Sequence, residues 1–247
     1  VSDVQFYQTS ADGSSLLQKQ KQTLKFSNKT NQYPILKVDS TQQFQELDGF
    51  GYSLTGGSAI VLNTLSASDR NKILRELFSR DSSALAISCL RISIGASDLD
   101  PAPFSYDDVP EGQTDINLEK FSIEPDRTNL IPVLKQILEI NPEIMIMGSP
   151  WSAPPWMKTN KNFKGGSLKK EYFPVYARYF VKYIQAMKAE GINIHAITVQ
   201  NEPLHPGNNP SMLMEAHDQR DFVRDYLGPA FENAGITTKI IIYDHNC

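Results

Sequence analysis

The hydrophobic pattern of the 247-residue chain changes near residue 48. Before that point Ser, Gln and Lys dominate, and the apolar residues come in short pieces. Val4, Phe6 and Thr9 flank one extended piece, and Leu24, Phe26 and Asn28 mark another, with a turn expected at Asp12-Gly13. Residues 34–47 alternate in the manner of a further hairpin. Beyond residue 48 the apolar residues gather into short, unalternating runs at 49–55, 84–94, 144–149, 194–200 and 239–243. Such runs suit parallel strands covered on both faces.

Between these runs lie helical patterns. The first begins at Ser66, with Asp69 three residues on, and continues through Ile73, Leu74, Leu77 and Phe78. The second starts near Asn129 with Pro132 in its first turn, carries Leu134, Ile137 and Leu138, and stops before Pro142. The third carries Phe173, Tyr176, Phe180, Tyr183, Ile184 and Met187 and ends at Gly191, a residue suited to a left-handed cap. The fourth is expected over 211–233, with Gly235 after it. Strands alternating with helices mean βαβ units and a parallel sheet. The fold class is therefore α/β. Five strands and four helices make about the first five units of a (β/α)8 TIM barrel, which needs eight of each. The chain divides at this change of pattern into N-terminal strands, 1–47, and a barrel portion, 48–247.

Composition adds mostly exclusions. At 40% hydrophobic and 21% charged residues the chain can build one large core. A formal net charge of -4 argues against nucleic acid as a partner. No apolar run approaches the length of a membrane span. The chain opens at Val1, which suggests a removed targeting segment or a trimmed chain. Cys89 lies in an apolar run and reads as a buried core thiol, and Cys247 is the last residue; together they establish no disulfide. His195, His205, His217 and His245 show no zinc-ligand spacing, and neither metal nor organic cofactor is expected.

In barrels of this kind the active site lies at the C-terminal ends of the strands. The polar residues found there are Ser53 and Thr55; Arg91, Ser97 and Asp98; Trp151; Asn201 and Glu202; and Asp244, His245 and Asn246. Sugar sites need this mix, because indole faces stack on pyranose rings while amides and carboxylates bind hydroxyls. The sharpest motif is Thr198-Val199-Gln200-Asn201-Glu202-Pro203. A glutamate there can protonate a glycosidic oxygen and then deprotonate a water, and Asn201 can hydrogen-bond a sugar 2-hydroxyl. The bland alternative is a surface Asn-Glu-Pro turn.

These stretches resemble glycoside hydrolase family 30 of clan A, in its glucosylceramidase-like branch. The resemblance rests on Gly49-Phe50-Gly51 with Ser53-Leu54-Thr55; Arg91-Ile92-Ser93-Ile94-Gly95-Ala96-Ser97-Asp98; Ser149-Pro150-Trp151-Ser152-Ala153-Pro154-Pro155-Trp156-Met157-Lys158-Thr159-Asn160; Gln200-Asn201-Glu202-Pro203; and Met214 to Phe222. It implies a retaining β-glycoside hydrolase. Glu202 would be the general acid/base and Asn201 the 2-hydroxyl partner. Asp98 and Trp151 would bind the distal side of the sugar, and Arg91 would orient a second carboxylate. His245, at a strand end, is a further candidate for the pocket. Two departures stand out. Gly56-Gly57 follow Thr55 where the family often has an acid, and Tyr52 replaces a small residue, so the resemblance leaves the choice between a glucosyl lipid and other β-glucosides open. The family's nucleophile, a glutamate at the end of the seventh strand, is expected beyond the C-terminus.

The resemblance implies a β-glucoside substrate, either a β-1,6-glucan or a glucosyl lipid, with xylan less favoured. It also implies a secreted, periplasmic or cell-surface setting, and the rest of the barrel as a partner, supplied by further sequence or by a second chain. Residues 1–47 would join an accessory β-sandwich. A non-catalytic sugar-binding remnant of the same fold is the competing class. Locally, Asp98 can equally cap a loop, Arg91 can serve an ion pair, Trp151 and Trp156 can be core, and His245 can make a local hydrogen bond. The acidic stretch with Asp100, Asp107, Asp108, Glu111 and Asp115 reads as a solvated loop, Met212 and Met214 as packing, and Tyr172, Tyr176, Tyr179 and Tyr183 as core-facing or snorkelling residues.

Overall fold

The computed structural model describes residues 3–28, 30, 32–81 and 84–246. The chain forms two compact units, 1–47 and 48–247. In the first, β1 (Tyr7–Gln8) pairs antiparallel with β2 (Gln18–Lys19), and Val4 bridges Leu24. The turn expected at Asp12-Gly13 is present: Asp12 accepts hydrogen bonds from the amide and hydroxyl of Ser14, and Gly13 takes φ 72°. The second expected extended piece differs, since the pairing strand is 18–19 and the 24–28 stretch contributes only the bridge at Leu24. The hairpin expected at 34–47 is absent; those residues are irregular and exposed. Alternation alone does not make a hairpin, because an isolated pair with no third strand or helix to cover its apolar face is marginal in water.

The second unit is a sheet of five parallel strands in the order β3 (Gly51–Ser53), β4 (Cys89–Ile94), β5 (Met145–Pro150), β6 (Ala196–Thr198) and β7 (Lys239–Ile241). The order is sequential and never reverses, as in a barrel and unlike a doubly wound sheet. Helices cross between the strands: α1 (Gly56–Thr64) and α2 (Ala67–Phe78), then α3 (Glu124–Arg127) and α4 (Leu130–Ile140), then α5 (Phe173–Ala189), then α6 (Ala216–Phe222) and α7 (Gly228–Asn233). Ser66 caps α2 by accepting the Asp69 amide, and α5 buries the apolar stripe read from the sequence.

Elsewhere the elements differ from expectation in extent or in number. Residues 84–88 do not extend β4; the amides of Leu85 and Ile87 instead donate to the Glu76 and Leu77 carbonyls at the end of α2, which would otherwise be orphaned. The helix α1 carries little apolar periodicity and begins on two glycines, so its pattern was silent. The last helical region starts at Ala216 and passes through a π turn at Val223–Leu227 just before Pro229, whose ring cannot follow a regular α ladder.

Strand pleating sorts the residues. On β4, Leu90, Ile92 and Ile94 pack under the helices, while Cys89, Arg91 and Ser93 face inward. The register aligns Cys89 with Met145, Arg91 with Met147 and Ser93 with Ser149. Cys89 is therefore not a buried core thiol. It is half-buried on the inner face and lines a cavity of about 340 Å³ with Met145, Met147 and His195. Gly148 is the helix-side residue of β5, where a Cβ would meet Ile94 of β4 at 3.0 Å and the Tyr183 hydroxyl of α5 at 3.3 Å.

The acidic loop after β4 differs in part from expectation. Asp108 and Glu111 are exposed, but Asp107 and Asp115 are buried, and beyond the loop Asp126 of α3 is 4% exposed. Tyr106, which opens this stretch, stacks on Tyr183 and Tyr179 of α5, and its hydroxyl donates to Asp126 at 2.5 Å. Aromatic burial drags the neighbouring carboxyls inward, which the charge count alone did not reveal. Tyr176, Tyr179, Tyr183, Met212 and Met214 are buried, as expected.

Burial raises the Asp126 carboxyl from 3.8 to about 7. The folded protein then holds a proton that the unfolded chain releases, so this contribution to stability is present at low pH and is lost between about 4 and about 7. Urea unfolding of the wild type and of Asp126→Asn at the two ends of that window should show the wild type losing ground to the variant as pH rises; a constant difference would refute the shift.

Candidate active site

The inward-facing polar residues meet at the C-terminal ends of β4 to β7. Arg91 reaches from β4 across the sheet. Its Nη2 lies 2.6 Å from Asp244 Oδ2, 2.8 Å from Asn201 Oδ1 and 3.0 Å from Ser149 Oγ. Ser149 and Thr198 hydroxyls also approach Asp244 Oδ2, at 2.9 and 2.8 Å. The guanidinium carbon sits 4.9 Å from the centre of the Trp151 ring. Four strand ends are thus joined through one cation and one carboxylate.

A guanidinium only donates, so the atom of Asn201 facing Arg91 must be the carbonyl oxygen. That fixes the amide and leaves its Nδ2 to donate elsewhere. The Asn201 backbone amide donates to the Pro150 carbonyl at 2.8 Å and the Glu202 amide to the Asp244 carbonyl at 2.8 Å, so sheet-like pairing continues to the bend at Glu202. Glu202 itself takes φ 41°, a left-handed conformation that costs a non-glycine residue about 1 kcal/mol. It persists because both its peptide groups are held: its carbonyl accepts the His205 amide at 2.8 Å, and Pro203 follows.

Arg91, Asn201, Glu202, Asp244, His245 and Asn246 line a small open cavity of about 260 Å³. Of the residues expected there, four are brought together: Arg91, Asn201, Glu202 and His245. The Nδ1 of His245 is buried without a hydrogen-bond partner among the described residues, so no local bond of that atom explains the ring's place. Trp151 stands beneath Arg91 at 6% exposure, with its Nε1 unpartnered, and does not line this cavity. Asp98 is exposed on the loop after β4 and lies outside it too. That loop is placed by α1. A Cβ at Gly57 would stand 2.1 Å from the Leu99 carbonyl oxygen, and one at Gly56 would stand 2.2 Å from Asp100 Oδ1. The two glycines that depart from the family pattern therefore let the helix end close onto the Asp98 loop.

One site residue escaped the sequence reading, and another was placed at the site without its role. Asp244 was visible as the polar residue after the last strand, but nothing there marked it as the partner of Arg91. Asn208, whose Nδ2 donates to Glu202 Oε2 at 3.0 Å, sits in a Gly/Asn/Pro loop that carried no signal. Lys158, from the Trp-Met-Lys-Thr-Asn stretch, is 0% exposed; burial pushes its pKa down to about 7, and its three donors all find oxygen acceptors. Among the described residues no group of three or more His, Cys, Asp or Glu side chains could hold a metal ion, and no helix is long and apolar enough to cross a membrane.

Residues 47–247 match the Glycosyl hydrolase family 30 TIM-barrel domain. The chain belongs to glycosyl hydrolase family 30. Among its family relatives, an endo-1,6-beta-D-glucanase of Neurospora crassa is 38% identical over 219 residues, 85% of this chain and 45% of that protein. The lysosomal acid glucosylceramidase of Mus musculus is 31% identical, over 88% of this chain and 44% of that one. The solved structure of the endo-beta1,6-glucanase BT3312 superposes with a TM-score of 0.84 at 38% identity, covering 99% of this chain and 52% of that one. The family 30 chain spans about half the length of the curated relatives it matches.

Asp244→Ala should lower stability by about 1–3 kcal/mol, since Arg91, Ser149 and Thr198 all lose an acceptor in a partly buried setting. Asp244→Asn, which keeps an oxygen there, should lose less. Equal losses in urea unfolding would mean that the charge paired with Arg91, and not the shape or the acceptor oxygen of the side chain, is what matters.

Proposed function

We propose that this chain carries the acid/base half of a retaining β-glucoside hydrolase acting by double displacement. The observation that carries this reading is the pairing of Glu202 at the end of β6 with Asn201, whose amide Arg91 orients, in one small cavity. In the first step a carboxylate attacks the anomeric carbon, the glycosidic C–O bond breaks, and Glu202 gives its proton to the leaving oxygen. In the second, Glu202 takes a proton from water, the water oxygen bonds to the anomeric carbon, and the ester bond to the nucleophile breaks. Asn201 Nδ2 holds the sugar 2-hydroxyl.

The nucleophile is a glutamate at the end of the seventh strand, about 5–5.5 Å from Glu202 as retention demands. It would come, with the remaining strands, from the part of the relatives that this chain does not match. Arg91 has Nη1 without a partner among the described residues, and that donor suits a second carboxylate. Asp98, on its loop at the same end of the sheet, reaches the distal hydroxyls of the sugar. His245 lines the cavity wall. Trp151 supports the site through Arg91.

A β-1,6-linked glucan is the first candidate substrate, since the relatives with 38–39% identity carry that activity in their names, and a glucosyl lipid is the second, on the relatives at 29–31%. Action on a polymeric glucan suits a secreted, periplasmic or cell-surface location. Residues 1–47 would complete an accessory β-sandwich, which would cover Phe26, Tyr33, Ile35, Leu36, Val38 and Phe44, all exposed here.

In the complete enzyme, Glu202→Gln should cut turnover of substrates with poor leaving groups by about 10²–10⁴-fold. Aryl substrates whose leaving group needs no proton should lose far less in the first step. Normal hydrolysis of a β-1,6-linked oligosaccharide by this variant would overturn the assignment, as would an α-configured first product seen by NMR.

A further inference from the structure

The loop after Glu202 is mostly exposed from Leu204 to Asn209, yet it returns one side chain to the site. Asn208 is half-buried, and its Nδ2 donates to Glu202 Oε2 at 3.0 Å. Glu202 Oε1 makes no hydrogen bond among the described residues and is the oxygen left to meet substrate. The Asn208 backbone is in turn anchored. Its carbonyl accepts the Ser211 hydroxyl at 2.6 Å, and the Ser211 hydroxyl also accepts the Gly165 amide at 3.0 Å. The Ser211 carbonyl accepts Lys158 Nζ at 2.7 Å. The same ammonium donates to Ser152 Oγ at 2.7 Å and to the Phe163 carbonyl at 2.8 Å. A fully buried lysine thus ties the segment after β5 to the loop after β6, and the last member of that chain of contacts touches the glutamate.

We propose that Asn208, anchored through Ser211 by buried Lys158, is a positioning residue for Glu202 that engages Oε2 and reserves Oε1 for proton transfer. This rests on the reading of Glu202 as acid/base. The amide fixes the rotation of the carboxyl plane, so one oxygen gives the proton to the leaving group and later takes it from water. The other charged or titratable groups lining the cavity with Glu202 are Arg91 and Asp244, which pair with each other, and His245.

The test compares kcat and KM of the complete enzyme for wild type, Asn208→Ala, Asn208→Asp and Glu202→Gln on two substrates: a β-1,6-linked glucan oligosaccharide, whose leaving group needs a proton, and an activated aryl β-glucoside, whose leaving group needs none in the first step. In Asn208→Ala the turnover number on the oligosaccharide should fall about tenfold with KM little changed, since a mobile carboxyl affects the transition state more than binding. The kcat/KM for the aryl glucoside, which reports the first step, should change little. A merely structural role would lower activity on both substrates alike. If the alanine variant does not fold, the near-isosteric Asn208→Asp, which also removes the donor, carries the test. Equal losses on the two substrates, or no loss on the oligosaccharide, with Glu202→Gln inactive on the oligosaccharide, overturn the role of Asn208 alone. Normal activity of Glu202→Gln overturns the acid/base reading beneath it.

Discussion

Arg91 can only donate hydrogen bonds, and the order of four strand ends follows from where it finds acceptors. Ser149 comes from β5, Asn201 from the end of β6, and Asp244 from the residues after β7. An arginine on the inner face of a barrel strand carries a charge that cannot be left unpaired in a half-dry space. Asp244 answers the charge. The small hydroxyl residues Ser149 and Thr198 leave room for it and add polar contacts. Through this one cation the amide of Asn201 is turned in a single sense, and that sense decides which atom it can offer a ligand. Electrostatic necessity and the geometry of recognition are here the same contact.

The strained bend at Glu202 depends on this frame. A left-handed residue followed by proline has no local reason to persist, and strain of this kind survives only where the surroundings over-determine it. Pairing of Asn201 with Asp244 brings the two strand ends into step, so that the Glu202 amide has its acceptor. Removing the frame would let the bend relax toward an ordinary turn, with the carboxyl pointing elsewhere. The bland reading of Asn-Glu-Pro as a surface turn and the functional one differ, physically, only in whether a sheet holds the turn in place.

Periodicity revealed the sheet and its helices because parallel strands buried on both faces leave unmistakable apolar runs, and β4 to β6 fell within them. It failed where structure is decided by close approach and not by apolar faces. The helix α1 opens on Gly56 and Gly57, residues that argue against a helix until the Leu99 carbonyl is seen beside them. Cys89 was misjudged because a run of apolar residues conceals the alternation between helix side and barrel side. The acidic loop was misjudged because Tyr106, not the aspartates, decides where that segment lies. Glu202, Asn201, Arg91 and His245 were legible as polar residues at strand ends. Asn208 and the anchoring role of Lys158 were not, since both act through loops whose paths no local pattern dictates.

The face that carries the site obtains its rigidity differently from the rest of the unit. Under the helices, large aromatics and branched aliphatics interlock, and packing density suffices. This face presents amides, acids and hydroxyls to solvent, so apolar burial cannot hold it. Polar groups beneath the surface do so instead: Lys158 with three acceptors, Gln200 Nε2 donating to the Trp151 carbonyl at 2.7 Å, and Trp156 Nε1 donating to the Asp107 carbonyl at 3.0 Å. Each links the loop of one strand to that of its neighbour. A buried hydrogen bond adds little net stability, but leaving its donor unmet costs about 1–3 kcal/mol, so each link penalises any arrangement in which the loops part. Loops held in this way keep one geometry without a hydrophobic core of their own, and that is what proton transfer between fixed atoms requires.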